Sequence, residues 1–259
     1  MMLRRLWALF RRDLLAARGS VLMAAGIIVI WDAFLLTRAG RWPSGALELS
    51  LWAPVFISLS WVALASLQAW YREWQQGTAH YTLAFPMPAW SLVTVKAAVA
   101  LTETMFLGLV AIAAGWPLYS KAIVKAIVNY MRQIAPGLFW TTVAANGLKL
   151  GLVLAVILFA VSLLVQFSYL LGRAARIWPA ALVPLSAATG AWAGLRIGGI
   201  LNLFLRWVPP MHIVVVGDVG RVLELIADPI STAPAISIGA VALGLLALDS
   251  AIVEKWLDV

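Results

Sequence analysis

Four ionisable residues stand in or against long apolar runs: Asp32, Glu103, Asp249 and Lys149. A charged side chain facing lipid is costly, so such groups turn toward protein or water and mark candidate sites. Glu103 is the most interior of the acids. It suits either a polar path through a helix bundle or a structural hydrogen bond to a Ser or Thr on a neighbouring span. Asp32, the second candidate for such a path, and Asp249 lie nearer the ends of their runs, where an interfacial position is expected. Covalent and metal chemistry has few residues to draw on. The chain has no cysteine and only two histidines, His80 and His212, which fall in separate segments outside the core spans. That excludes thiolate chemistry and leaves too few imidazoles for a His-based metal site. A polytopic membrane enzyme would need paired acids or a Ser–His pair, and the three acids are on different runs. No GxxxxGK[ST] phosphate loop is present, so the chain carries no ATPase motif.

The elements that must position these residues are membrane spans. The chain has 259 residues, 63% of them hydrophobic and 12% charged, with a mean hydropathy of +0.95. A soluble domain is about half apolar and about one quarter charged. A bilayer core takes about 20 apolar residues as helix. Six runs qualify: 19–37, 49–71, 97–116, 150–171, 177–195 and 229–253. The fold class is an all-α polytopic membrane protein forming a single domain over 1–259. The stretch 197–217 is apolar but holds Arg206 and Pro209-Pro210, so it is expected as two short re-entrant half-helices rather than a seventh span. Many of the 14 tryptophans lie near the ends of runs, as headgroup-level aromatic belts do. On span five, Gly190 and Gly194 form a GxxxG face suited to packing within the chain or against a second chain.

The N-terminal segment 2–18 sets the orientation. Arg4, Arg5, Arg11 and Arg12 alternate with Leu3, Leu6, Trp7, Phe10 and Leu14, the pattern of an amphipathic helix lying at the membrane surface. Its basic cluster is expected to stay cytoplasmic. With six spans, both termini are then cytoplasmic. The net charge of +8 fits anionic lipid and this bias rather than nucleic acid. A second amphipathic stretch, 120–137, is expected on the other side as an interfacial helix ended by Pro136-Gly137.

Between spans two and three lies REWQQGTAHYTLAFPMPAWSLVTVK, residues 72–96. A simple helix–helix connection needs only about 2–8 residues. Glu73 to Gln76 can continue the second helix, Gly77-Thr78 can stop it, and Pro86 and Pro88 bar a continuous helix. Tyr81, Leu83 and Phe85 supply apolar contacts, and Lys96 is placed to snorkel at the entrance to span three. The result is a short rigid element able to dock into another protein.

The order Glu73, Gly77-Thr78, Leu83, Pro86, Lys96 resembles the permease subunits of type-2 ATP-binding-cassette (ABC) exporters. The basic N-terminal helix, the six spans, the broken segment before the last span and the charged exit EKWLDV extend the resemblance over most of the chain. Where the family often has Leu-Glu after Gly-Thr, this chain has Ala79-His80. The resemblance implies a bacterial cell-membrane protein with an elbow helix at 2–18 carrying Arg4, Arg5, Arg11 and Arg12. It implies a cytoplasmic coupling helix in 72–96, with Glu73, Gly77, Thr78, Tyr81, Leu83 and Pro86 as the ATPase-coupling residues, and external re-entrant half-helices at 197–217. It further implies pairing with a second permease chain and with a separate ABC ATPase subunit that holds ATP and Mg, no cofactor being bound by this chain. Glu103 and Asp32 become candidates for a translocation path. A membrane enzyme, or an ATPase-coupled scaffold that moves nothing across the bilayer, are the other readings.

Overall fold

The apolar runs form helices because a bilayer core offers no partner to backbone N–H and C=O groups. The structure, a computed structural model, describes residues 2–38, 41–42, 44–78, 87–131, 136–174, 179–205, 211–219, 222–230 and 232–255. In chain order these form α1 (Met2–Arg38), α2 (Ser44–Gln75), α3 (Ala89–Met131), α4 (Pro136–Ala174), α5 (Pro179–Phe204), strands β1 (Met211–Val219) and β2 (Val222–Ile230), and α6 (Ala233–Lys255). Among the described residues five helices, α1, α2, α3, α4 and α6, are long and apolar enough to cross a membrane. The sixth expected span, 177–195, falls on α5, which is not among those five.

The helices pack as two groups of three. α1, α2 and α3 contact one another, as do α4, α5 and α6; α4 meets both α2 and α3, and α6 meets α3. Consecutive helices run antiparallel. Trp31 near the end of α1 bonds to Ser50 O near the start of α2, and Lys96 near the start of α3 reaches Ala69 O near the end of α2. Gly198 of α5 lies against Ser237 near the start of α6. The start of α1 and the end of α6 therefore lie at the same end of the bundle. We call it the charged end, because it carries Arg12, Asp13, Arg72, Glu73, Lys96, Arg173, Glu254 and Lys255.

Close approach replaces hydrophobic collapse as the packing principle, since lipid is as apolar as a leucine core. On α1, Ala17, Val21, Ala24, Ala25 and Ile28 recur at helical steps and lie on Leu107 and Ala111 of α3. The larger core cluster joins Trp70 of α2, Val93 and Ala97 of α3, Leu163 and Leu170 of α4, and Ile252 of α6. The glycine face of α5 packs inside the chain. A Cβ at Gly194 would touch Val241 of α6 at 3.4 Å, and one at Gly190 would meet Leu164 Cδ1 of α4 at 2.6 Å. Leu164 also borders a cavity of about 420 Å³ between α4, α5 and α6, into which its flexible end can swing. Gly190→Ala is therefore expected to cost no more than about 1 kcal/mol. Gly190→Val, which adds a second branch at a crowded Cβ, is expected to cost about 1–3 kcal/mol. Thermal unfolding of both variants in detergent checks the difference.

Several expectations need correction. Segment 2–18 is not a separate interfacial helix. It runs without a break into the first span, and the 37-residue α1 is about 55 Å long at 1.5 Å per residue. The Gly19-Ser20 pair, a sequence at which helices can kink, lies inside this continuous helix, with Ser20 Oγ donating to Ala17 O at 2.9 Å. Residues 120–131 likewise continue α3, a 43-residue helix containing Pro117. Pro136 does not end a helix but opens α4, the first-turn position where its missing N–H costs nothing. Among the described residues of 197–217 there is no pair of half-helices, and Arg206 and Pro209-Pro210 lie outside those described. Residues 197–204 complete α5, and β1 pairs antiparallel with β2, with Met211 opposite Ile230 and Val219 opposite Val222. β-Branched Ile213, Val214, Val215, Val216 and Val219 favour strand over helix. Pro229, expected to open the last span, instead pairs with His212 in the hairpin. Both strands of a two-stranded sheet are edges, where proline is tolerated. Those two open edges also rule out a lipid-exposed position in the hydrocarbon core.

Candidate functional site

At the charged end, α2 stops abruptly. Thr78 N donates to Glu73 O (3.0 Å) and Gly77 N to Trp74 O (3.3 Å). These are the two bonds of a Schellman termination, with Gly77 in the left-handed region (φ 66°). The stop expected at Gly77-Thr78 is thus present. Tyr81, Leu83 and Pro86, with His80, lie outside the described residues.

One side of the last turn of α2, that of Glu73, faces inward. Glu73 was expected to serve docking directly, yet its side chain is buried in an ion-pair cluster. Arg12 Nη2 of α1 donates to Glu73 Oε1 at 2.6 Å, and Lys96 Nζ of α3 lies 3.0 Å from the same oxygen. Asp13 neighbours both cations: its Oδ1 is 2.8 Å from Arg12 Nη2 and its Oδ2 is 3.7 Å from Lys96 Nζ. Lys96, expected to snorkel, is 0% exposed. Its stem runs toward Glu73 because two carboxylates, the Ala69 carbonyl at 3.2 Å and the Trp70 ring at 4.6 Å replace the water it gives up. Partial burial works against the charge of Arg12, but Asp13 and Glu73 more than offset that and raise its pKa above the usual value. Arg4, Arg5 and Arg11 of the same segment are exposed, so Arg12 is the one arginine of those four turned into the cluster.

The polar contacts continue into the second helix group. Trp70 Nε1 donates to Gln166 Oε1 of α4 at 2.9 Å. Gln166 Nε2 reaches Ser162 Oγ at 3.3 Å, which shares a 2.7 Å hydrogen bond with Ser66 Oγ of α2. Arg173 of α4 stacks over Trp74 of α2 at 4.7 Å. Arg72 closes the third side, donating to Ala16 O of α1 and to Gln68 Oε1, both at 2.8 Å. Four helices are thereby tied together beside the point where the chain leaves α2.

A cavity of about 320 Å³ opens beside this cluster and reaches Glu103. Glu103 is 3% exposed, and its Oε2 accepts from Trp61 Nε1 at 2.9 Å. The bond expected to a Ser or Thr thus comes from an indole. Asp32 belongs to a different region. It lies about 28 Å along α1 from Asp13 and Glu103 about 10 Å along α3 from Lys96, by helical rise. Asp32 and Asp249 are buried between helices, and none of their carboxylate oxygens has a hydrogen-bond partner among the described residues. The three acids do not converge. Asp13, Trp61, Arg72 and Gln166 were not singled out from the sequence. Two signals stood in it: Asp13 is the lone acid of the basic segment 2–18, and Gln166 the lone amide of the run 150–171.

Fold and site together define a multi-pass helical membrane protein with a buried ionic junction at one end. No family model, curated protein or solved structure matches the chain.

Proposed function

We propose that the chain is the transmembrane permease subunit of a type-2 ABC exporter, coupled to a separate ATPase subunit and paired with a second permease chain. One observation carries this reading: α2 ends in a Schellman turn inside a junction that ties α1, α2, α3 and α4. A push on the segment following Gly77 is therefore delivered to four helices at once rather than absorbed by one loop. In this reading Glu73 does not touch the ATPase. It anchors the base of the coupling segment, and docking falls to residues 78–88. ATP and Mg bind to the partner, whose closure moves that segment and switches access to the path. The arginine-rich start of α1 keeps the charged end cytoplasmic, with both termini there and the hairpin on the opposite face of a bacterial cell membrane.

The test is affinity purification of the tagged chain from its native membranes. A stoichiometric ATPase subunit is expected to co-purify. Gly77→Val puts a β-branched residue at a positive φ, which disfavours the turn, and is expected to reduce the recovered ATPase severalfold while the permease is still inserted. Absence of any ATPase under mild extraction would sink the proposal.

A further inference from the structure

The cavity at the charged end finishes on a carboxylate that its surroundings leave half used. It runs between α1, α2 and α3 from Gln76 and Thr78 to Glu103, past walls formed by Ala16, Ala65 and Ala69. Trp61 occupies Oε2 of Glu103. Oε1 has no hydrogen-bond partner among the described residues, and it is not one of the fully enclosed oxygens. The other charged groups around the cavity are engaged with one another or with the wall. Arg12 and Lys96 are held by Asp13 and Glu73, and Arg72 by Ala16 O and Gln68. An ionised carboxylate only accepts hydrogen bonds. What the inner end of the cavity lacks is a donor, preferably a charged one.

We infer that this cavity binds the ammonium or guanidinium group of a cationic amphipathic molecule at Glu103 Oε1, its short apolar part lying along the alanine wall. An anion is repelled by Glu103. A neutral chain of the same length leaves the carboxylate unpaired at low dielectric, which is unfavourable. The alanines leave room for an unbranched chain and offer it no competing donor. The inference deepens the exporter reading by giving the chemical class of the cargo, and the binding itself does not depend on an ATPase.

The probe is n-octylammonium, measured by equilibrium dialysis against the full chain in nanodiscs of zwitterionic lipid at physiological salt, with empty nanodiscs subtracted. n-Octanoate and n-octanol serve as controls of equal length. A saturable site is expected for the ammonium and for neither control. Glu103→Gln is expected to weaken it about tenfold or more. Ala65→Leu keeps the carboxylate and fills the cavity, and is expected to abolish binding. Unchanged affinity in a folded Glu103→Gln protein overturns the inference, as does octanoate binding as tightly as the ammonium. If Glu103→Gln does not fold, unchanged affinity in Ala65→Leu overturns it instead. Loss of ammonium binding while an ATPase still co-purifies removes the cargo class alone. Ammonium binding with no ATPase partner removes the exporter reading alone.

Discussion

Glu73→Gln is expected to destabilise the protein by about 3–5 kcal/mol, the range for removing one partner of a buried ion pair. The size of the effect comes from Lys96. Its ammonium is enclosed and 3.0 Å from Glu73 Oε1. Without that carboxylate it retains Asp13 at 3.7 Å, the Ala69 carbonyl and the Trp70 face. A cation over an indole recovers about 0.5–2 kcal/mol, which does not replace a hydrogen-bonded anion. The Arg12–Glu73 contact is shorter at 2.6 Å, yet the Arg12 side chain is 49% exposed, so solvent screens it and Arg12→Met is expected to cost only about 0–1 kcal/mol. Distance and burial thus give opposite rankings, and burial decides. The double variant Glu73→Gln/Lys96→Met removes the stranded cation and is expected to recover much of the loss, because replacing a whole buried pair with apolar groups is often near neutral. Reversible unfolding of the wild type, Glu73→Gln, Lys96→Met and the double variant in mixed micelles gives the Glu73–Lys96 coupling energy directly. Equal costs for Glu73→Gln and Arg12→Met would show that the junction is not held by Lys96.

The same junction shows how far the sequence could be read. Helix positions followed from run length, because in lipid an apolar run of sufficient length has few alternatives to a helix. The stop at Gly77 was legible too, since a glycine after the last helical turn is a local signal. Residues 197–217 were misread for a reason of the same kind. Arg206 and Pro209-Pro210 divide the run into short pieces, a short apolar piece fits a half-helix or a strand equally well by periodicity, and the valines of 213–219 weigh toward strand. The ionic cluster was hidden because its members come from three helices. Lys96 reads as a snorkelling residue until one knows that Glu73 and Asp13 converge on it. Likewise Trp70 reads as a belt tryptophan until Gln166 is seen to accept its N–H. Local chemistry is written along the chain, whereas partnership across helices depends on rotation and depth, which hydropathy does not encode.

Asp249→Leu is expected to raise stability, by about 1–3 kcal/mol, against the usual direction of core substitutions. The residue sits on α6, 0% exposed, amid contacts with α3 and α4. Neither carboxyl oxygen has a hydrogen-bond partner among the described residues. A polar group buried without a partner carries its desolvation cost uncompensated whichever protonation state it adopts. Leucine restores dispersion contacts without that cost. Asp249→Asn keeps the shape and the unpartnered polarity, and is expected to change stability little; Asp249→Val controls for overpacking by the larger leucine. Unfolding midpoints of the three variants, measured alongside the ATPase-coupled flux that the proposed exporter function predicts, separate two roles. A stabilised Asp249→Leu protein that loses flux identifies Asp249 as a group retained at a cost in stability for a second conformation in which it has a partner. A stabilised protein with full flux makes it a tolerated defect. A destabilised Asp249→Leu protein, with Asp249→Val also destabilised, would mean that the carboxyl is satisfied in the folded membrane protein, and the argument from its missing partners would fail.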